Sequence, residues 1–243
     1  MTHSNEIILL LGGESSYQPI LSKCTRIKPN HYKIEINSTT YDIFIAFAQS
    51  KSIHKFATHA PSIDCLKDVI LNASKVYVFG ICGSCKAFFP KNHILFPSQF
   101  TILSKQELLE HQQDPLLSQT VLTNEIIQET LRREHLIQYE NIFTRFSKNI
   151  SNASSNTLNL TVPGIVQSQT FQTIDNNLQK QFLQIHDSIE MECYEIVLLC
   201  KKKNLELGVY LQVSDVIGED DFSFNESEQF LFRDNFFYIM NNI

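Results

Sequence analysis

The sequence predicts an α/β fold with a largely parallel sheet. Two uninterrupted apolar runs, Glu6–Leu11 and Lys75–Phe79, each end in glycine, at Gly12-Gly13 and at Gly80. Runs of this kind are what strands buried on both faces require. Between and after them lie stretches with apolar residues at helical spacing, and strands alternating with helices build parallel sheets. The 243 residues suit one domain, since single α/β domains reach about 250 residues. A chain of this size buries roughly 70–75% of its unfolded surface and needs no disulfide or metal staple.

Taken in order, the first strand is Glu6–Leu11. Residues 32–36 and 41–48 alternate or run apolar around Asn37-Ser38, which predicts a hairpin. Pro61-Ser62 opens a helix whose apolar positions are Ile63, Leu66, Val69 and Ile70, ending near Asn72. The strand Lys75–Phe79 follows. Ile126, Ile127, Leu131, His135 and Leu136 predict an amphipathic helix over 125–139. Residues 147–160 are rich in Ser and Asn, which bond their own backbone, and they predict a flexible loop. Then come a strand near Gly164–Val166, a helix from about Ser188 to Asn204 and a strand Leu207–Val213. The aromatic-rich stretch Phe230–Ile239 is expected to pack on the core. No internal repeat is present.

Composition narrows the function. The formal charge is -6, unevenly spread: residues 1–120 hold 11 basic and 9 acidic side chains, and residues 121–243 hold 9 and 17. Lys201-Lys202-Lys203 is the one basic triplet, and cations of this kind oppose the dipole in a last helical turn, so no nucleic-acid partner is expected. No apolar stretch approaches the roughly 18–20 residues that span a bilayer, and Ile7–Leu11 is too short for a signal-peptide core. The expectation is a cytoplasmic chain with no membrane partner. Six cysteines stand at 24, 65, 82, 85, 193 and 200. Cys82-Gly83-Ser84-Cys85 has metal or redox spacing, but no second such pair completes a zinc site, so free thiols and no metal are expected.

Chemistry concentrates at the strand ends. Gly12-Gly13-Glu14, Gly80-Ile81-Cys82-Gly83-Ser84 and Ser214-Asp215 each follow a strand, where open α/β sheets bind ligands. Glycine there lets backbone N–H groups approach an anion or a sugar. Met191-Glu192, at the start of an otherwise apolar helix, is a fourth candidate. The acidic run Glu219-Asp220-Asp221 lacks a calcium-loop pattern and reads as a solvated turn, and Gly80–Lys86 lacks the end of a P-loop.

The order of these motifs is similar to that of the nucleoside phosphorylase and nucleosidase family. Glu190-Met191-Glu192 followed by Val213-Ser214-Asp215 resembles the family's Glu-Met-Glu helix and Val-Ser-Asp strand end. Thr58-His59-Ala60-Pro61-Ser62 and Gly80-Ile81-Cys82-Gly83 look like its Pro-Ser helix and Gly-x-Cys-Gly turn. His59 itself reads as a structural or pocket-edge residue. The resemblance implies a single nucleoside phosphorylase-like domain over 1–243, with a mixed central sheet flanked by helices. It implies cleavage of the N-glycosidic bond of a purine nucleoside or related nucleotide, no cofactor, and a homo-oligomer. Asp215 would protonate the departing base, and such acid catalysis supplies roughly 10²–10⁴ in rate. Glu192 would accept hydrogen bonds from the ribose hydroxyls, Met191 would pack on the sugar, and Ser214 would orient Asp215. Phe171 falls where the family stacks an aromatic on the base, and Gly13, Gly80 and Gly83 would line the pocket.

Three departures bear on the second substrate. The family's phosphate arginines fall on Val78 and Tyr17, and its turn hydroxyl falls on Ile81. Phosphate recognition needs guanidinium or ammonium groups, so the losses favour water over phosphate. Glu14, the one carboxylate of the opening loop, is the candidate base for water. Phosphorolysis and a catalytically silent nucleoside binder are the alternatives.

Overall fold

The computed structural model describes residues 5–46, 63–102, 136–161, 184–217 and 224–243. The expected helix start at Pro61-Ser62, the strand near 164–166, Phe171 and the acidic run 219–221 lie outside them. The first strand, β1 (Glu6–Leu11), leads into a 3-10 turn (Glu14–Tyr17) and a one-turn helix α1 (Gln18–Leu21). Three strands follow: β2 (Thr25–Lys28), β3 (His31–Ile36) and β4 (Thr39–Ala46). β3 and β4 form the expected hairpin, with Asn37 and Ser38 at φ 50° and 62°. Two left-handed residues give the turn whose twist matches the strands it joins. Among the described residues β2 pairs with β3 on one side only, and all four of its side chains are exposed.

Next come α2 (Ile63–Leu71), β5 (Lys75–Ser84), β6 (Ile94–Ile102), β7 (Ile137–Gln138) and a 3-10 helix (Ile142–Lys148). The chain closes with β8 (Ala153–Thr161), β9 (Ser188–Glu190), α3 (Cys193–Lys203), β10 (Glu206–Val216) and α4 (Glu226–Asn241). Among the described residues the ten strands make one mixed sheet, in the order β10-β6-β8-β9-β5-β1-β4-β3-β2, with β7 on β6. Because β10 also pairs β5, the strands β5, β10, β6, β8 and β9 close a ring. The open part of the sheet, β1 to β2, extends from it.

Alternate residues of the central strands feed two cores. Leu9, Val78, Val209 and Leu211 face α2 and α3, against Ile70, Ile196 and Val197. Leu10, Phe79 and Tyr210 face α4, where Phe232, Phe236, Ile239 and Met240 are buried. The aromatic C-terminus thus packs on the core as its composition implies. A capping box starts α4: Glu228 N–H donates to Asn225 Oδ1 (3.2 Å), and Asn225 N–H donates to Glu228 Oε2 (2.6 Å). Lys201, Lys202 and Lys203 occupy the exposed last turn of α3.

Four sequence expectations change. Segment 147–160 is not a loop. From Ala153 it is β8, held between β6 and β9, and its buried Asn159 and Thr161 are bonded inside the fold. The last residues of the expected helix 125–139 form β7; residues 125–135 lie outside the described part. The helix expected from Ser188 starts at Cys193, because Ser188–Glu190 pairs with β5 and β8 as β9. β5 does not stop at Gly80. A Cβ there would lie 3.2 Å from both Leu11 and Leu211, so this glycine serves close strand packing rather than a turn.

A buried side chain completes the ring where β6 and β10 part. The two strands pair only at Leu211–Leu95 and Gln212–Ile94. Asn141 then fills the gap: Nδ2 donates to Pro97 O (2.9 Å) and Val209 O (2.7 Å), and Oδ1 accepts from Val209 N–H and Phe143 N–H, both 3.0 Å. Every polar atom of the amide is satisfied. This turn carries Phe143, stacked on Tyr77 at 5.8 Å and seated against Gly208. A Cβ on Gly208 would lie 2.6 Å from the Phe143 ring. Gly208→Ala is therefore expected to cost about 1–3 kcal/mol by overpacking, read as a lower urea midpoint with an unchanged slope.

Candidate active site

The site follows from how β5 changes partners. β1 pairs it from Lys75 to Gly80 and ends there, opposite Leu11. β9 takes up the same side at Gly83 and Ser84, running antiparallel. Ile81 and Cys82 lie in the gap. On the other side β10 follows β5 throughout, with a bulge between Val213 and Asp215 that sets Asp215 opposite Gly83. A break of this kind beyond the carboxyl ends of parallel strands is where α/β sheets open to ligands.

Asp215 and Ile189 pair the same residue, Gly83, from its two sides. They are therefore two strand spacings apart, about 10 Å. The turn Glu190-Met191-Glu192 leaves β9 at this point, so the fold brings the Asp215 and Glu192 segments to one end of the sheet. Gly83 makes room there: a Cβ would lie 3.1 Å from Ile217 and 3.4 Å from Asp215 Oδ2. The Ser214 hydroxyl is 2.5 Å from Asp215 Oδ1 and 3.0 Å from Cys82 O. Ser214 is buried, and Asp215 is half-buried.

Glu192 occupies the N-cap position of α3 and is 5% exposed, whereas Met191 beside it is half-buried. Its neighbour across the site is Tyr17, a residue the sequence marks only as a lost arginine. Tyr17 is 1% exposed, packs on Phe232 and donates its hydroxyl to Leu11 O at the tip of β1. Burial first, and the Glu192 carboxylate second, push the Tyr17 phenol well above its ordinary range. Of the opening glycines, Gly12 is the constrained one, with φ 128° and its N–H donated to Ala46 O (2.8 Å); Gly13 has ordinary extended backbone.

Glu14 sits differently. Tyr32 donates its hydroxyl to Glu14 Oε1, and Arg26 lies 4.0 Å from the same oxygen. Its carboxylate is thus bound to residues of β2 and β3, on the far side of β1 from Asp215. The site also holds a carboxylate that sequence reasoning missed, Glu190, 2% exposed. Its signal in the sequence is its place at the head of Glu190-Met191-Glu192, where the resemblance gives roles only to Met191 and Glu192. A polar depression lined by Ser98, Gln99, Gln138, Tyr139 and Glu140 lies along β6 and β7, apart from these residues.

No known family profile and no curated protein matches this sequence. Solved structures do. The 5′-methylthioadenosine/S-adenosyl homocysteine nucleosidase of Campylobacter jejuni superposes with a TM-score of 0.66 at 12% identity, over 98% of this chain and 99% of that one. The futalosine hydrolase of Helicobacter pylori gives 0.62 at 15% identity, over 98% of each chain. The purine nucleoside phosphorylase of Toxoplasma gondii gives 0.60 at 12%, over 98% of this chain and 90% of that one. The chain has the nucleoside phosphorylase fold. The resemblance carried by Glu190–Glu192 and Val213–Asp215 holds at the level of the whole architecture, a mixed sheet flanked by helices.

Among the described residues no helix is long and apolar enough to cross a membrane, and no group of three or more His, Cys, Asp or Glu could hold a metal ion. Cys24, Cys82, Cys85, Cys193 and Cys200 are free thiols. Burial first, then nearby carboxylates, pushes Cys82 and Cys193 well above the usual thiol range. The thiolate is the reactive form, so both are expected to label with a disulfide reagent at pH 8 at least about a hundredfold more slowly than free cysteine. Mass mapping before and after denaturation checks this.

Proposed function

We propose that this chain cleaves the N-glycosidic bond of a purine nucleoside or a nucleotide-like relative, with water as the first-choice acceptor. The observation that carries the reading is the meeting, across Gly83, of the Asp215 strand end and the Glu190–Glu192 turn. Its setting is a fold shared with two nucleosidases and a phosphorylase.

In this reading Asp215 is the general acid. Ser214 has one hydroxyl proton and two acceptors, Cys82 O and Asp215 Oδ1. Donating to one or the other, it ties the Asp215 carboxyl to the end of β5. As the C–N bond breaks, its electron pair goes to the base, the proton from Asp215 neutralises it, and positive charge develops on the ribosyl group. Glu192 accepts hydrogen bonds from the ribose hydroxyls and faces that charge with a carboxylate. Met191 packs on the sugar, Gly13, Gly80 and Gly83 give the backbone its close approach, and Phe171 stacks on the base.

Water is favoured because the candidate phosphate positions carry Val78, Tyr17 and Ile81. Val78 and Tyr17 are buried without a cationic group of their own, and phosphate binding relies on charge-assisted bonds. Glu14 remains the proposed base for water; it would have to release Tyr32 and Arg26 to face the ribose. The phosphorylase among the structural neighbours supports phosphorolysis as the second reading. A homo-oligomer working in the cytoplasm completes the proposal.

Free base released from a purine nucleoside panel, with and without inorganic phosphate, tests it. Release without phosphate is expected. Release only with phosphate would establish the second reading, and no release in either condition would remove both. Asp215→Asn is expected to lower turnover by roughly 10²–10⁴, the usual worth of a general acid, and Ser214→Ala by about tenfold.

A further inference from the structure

Glu190 is buried as an anion-shaped group with every acceptor position in use. Asn159 Nδ2 (2.8 Å) and the Thr161 hydroxyl donate to Oε1. The backbone N–H groups of Glu192 (2.5 Å) and Cys193 (2.7 Å) donate to Oε2. A second ring of bonds sets the direction of the first. Ser188 Oγ donates to Asn159 Oδ1 (2.8 Å), so the Asn159 amide nitrogen faces Glu190. Tyr194 N–H donates to Thr161 Oγ1 (2.9 Å), so the Thr161 proton is left for Glu190. The network joins β8, β9 and the start of α3, and the two N–H groups it holds flank the very turn that presents Met191 and Glu192. Those N–H groups belong to the positive end of α3, where a carboxylate is favoured.

We propose that Glu190 is a positioning residue for ribose recognition: its carboxylate fixes the 190–193 turn and so sets Glu192 against the sugar hydroxyls. Glu190 touches no substrate. It acts through the backbone of Glu192, and the inference rests on the nucleosidase reading above. An amide in its place presents one acceptor oxygen instead of two, so two of the four donors lose their partner and the turn is freed to shift. A purely structural role would weaken all ligands alike. A positioning role weakens only those with ribose hydroxyls to grip.

The experiment is calorimetric binding of adenosine, inosine and their 2′,3′-dideoxy counterparts to the full chain, its Glu190→Gln and Glu192→Gln forms and the double variant. The wild type is expected to prefer the ribonucleosides. Glu190→Gln is expected to weaken ribonucleoside binding about tenfold, the scale of a lost bond to a charged group, and to leave dideoxynucleoside binding within about twofold. In the Glu192→Gln background the same substitution is expected to have no further effect. Equal weakening of both ligand types, or a penalty that persists without Glu192, would overturn the proposal. Wild type that binds no nucleoside would overturn the functional reading and the positioning role together. If Glu190→Gln fails to fold, Thr161→Val removes a single donor, and it should show the same selectivity with a several-fold loss; its absence in a folded Thr161→Val protein would overturn the proposal.

Discussion

Strand β5 must share its hydrogen bonds among three neighbours over ten residues. Its first half lies between β1 and β10, its last two residues lie between β9 and β10, and among the described residues those between have β10 alone. A strand can change partners on one side only by leaving a gap, and the gap here falls at Ile81 and Cys82. The open sheet and the closed ring meet at that gap. Asp215 from β10 and the 190–193 turn from β9 lie around it, with Tyr17 and Gly12 on the β1 side.

The ring's interior is more polar than an α/β core usually is. Thr157, Asn159, Thr161, Ser188 and Glu190 are all buried on β8 and β9. Burying such groups is costly unless they bond one another. Asn159, Thr161, Ser188 and Glu190 do, through a network whose donors and acceptors agree in direction, while Thr157 Oγ1 finds no partner. A network of this kind specifies one arrangement sharply, because a shift of one strand by one residue would strand several buried polar atoms at once. The same sheet uses a single amide, Asn141, as a rung between β6 and β10.

The legibility of the sequence followed hydropathy. β1, the β3–β4 hairpin, α2 and most of β10 were readable because their apolar residues recur at the period of the element they form. Glycine-rich strand ends pointed to the end of the sheet where β5 changes partners, and Ser214-Asp215 was readable as a strand end carrying an acid. β8 was not, because polar residues that bond each other inside a fold look the same in sequence as those that bond water in a loop. β6 was hidden by Pro97, which sits at a break in the ladder, and β9 is three residues long. Gly80 misled because glycine marks close packing as readily as a turn. The partners of Glu14 were hidden because proximity in sequence to a strand tip does not determine where a long side chain finds them. Tyr32 and Arg26 come from strands that no local pattern could have connected to it.

The outermost strand has a consequence for how this protein meets its neighbours. Among the described residues β2 leaves one row of backbone amides and carbonyls without a strand beside it, and Ile27, half exposed at 50%, gives that row an apolar handle. Arg26 and Lys28 stand on either side of it. An unrelated chain adding to this border would have to bury or displace two cations to reach the isoleucine, and a duplicate of β2 would bring four positive charges together. Such guarding is how sheet borders resist runaway polymerisation. The charge pattern of a four-residue strand thus ends the sheet here as a chemical instruction, in a place where backbone geometry alone would let it continue.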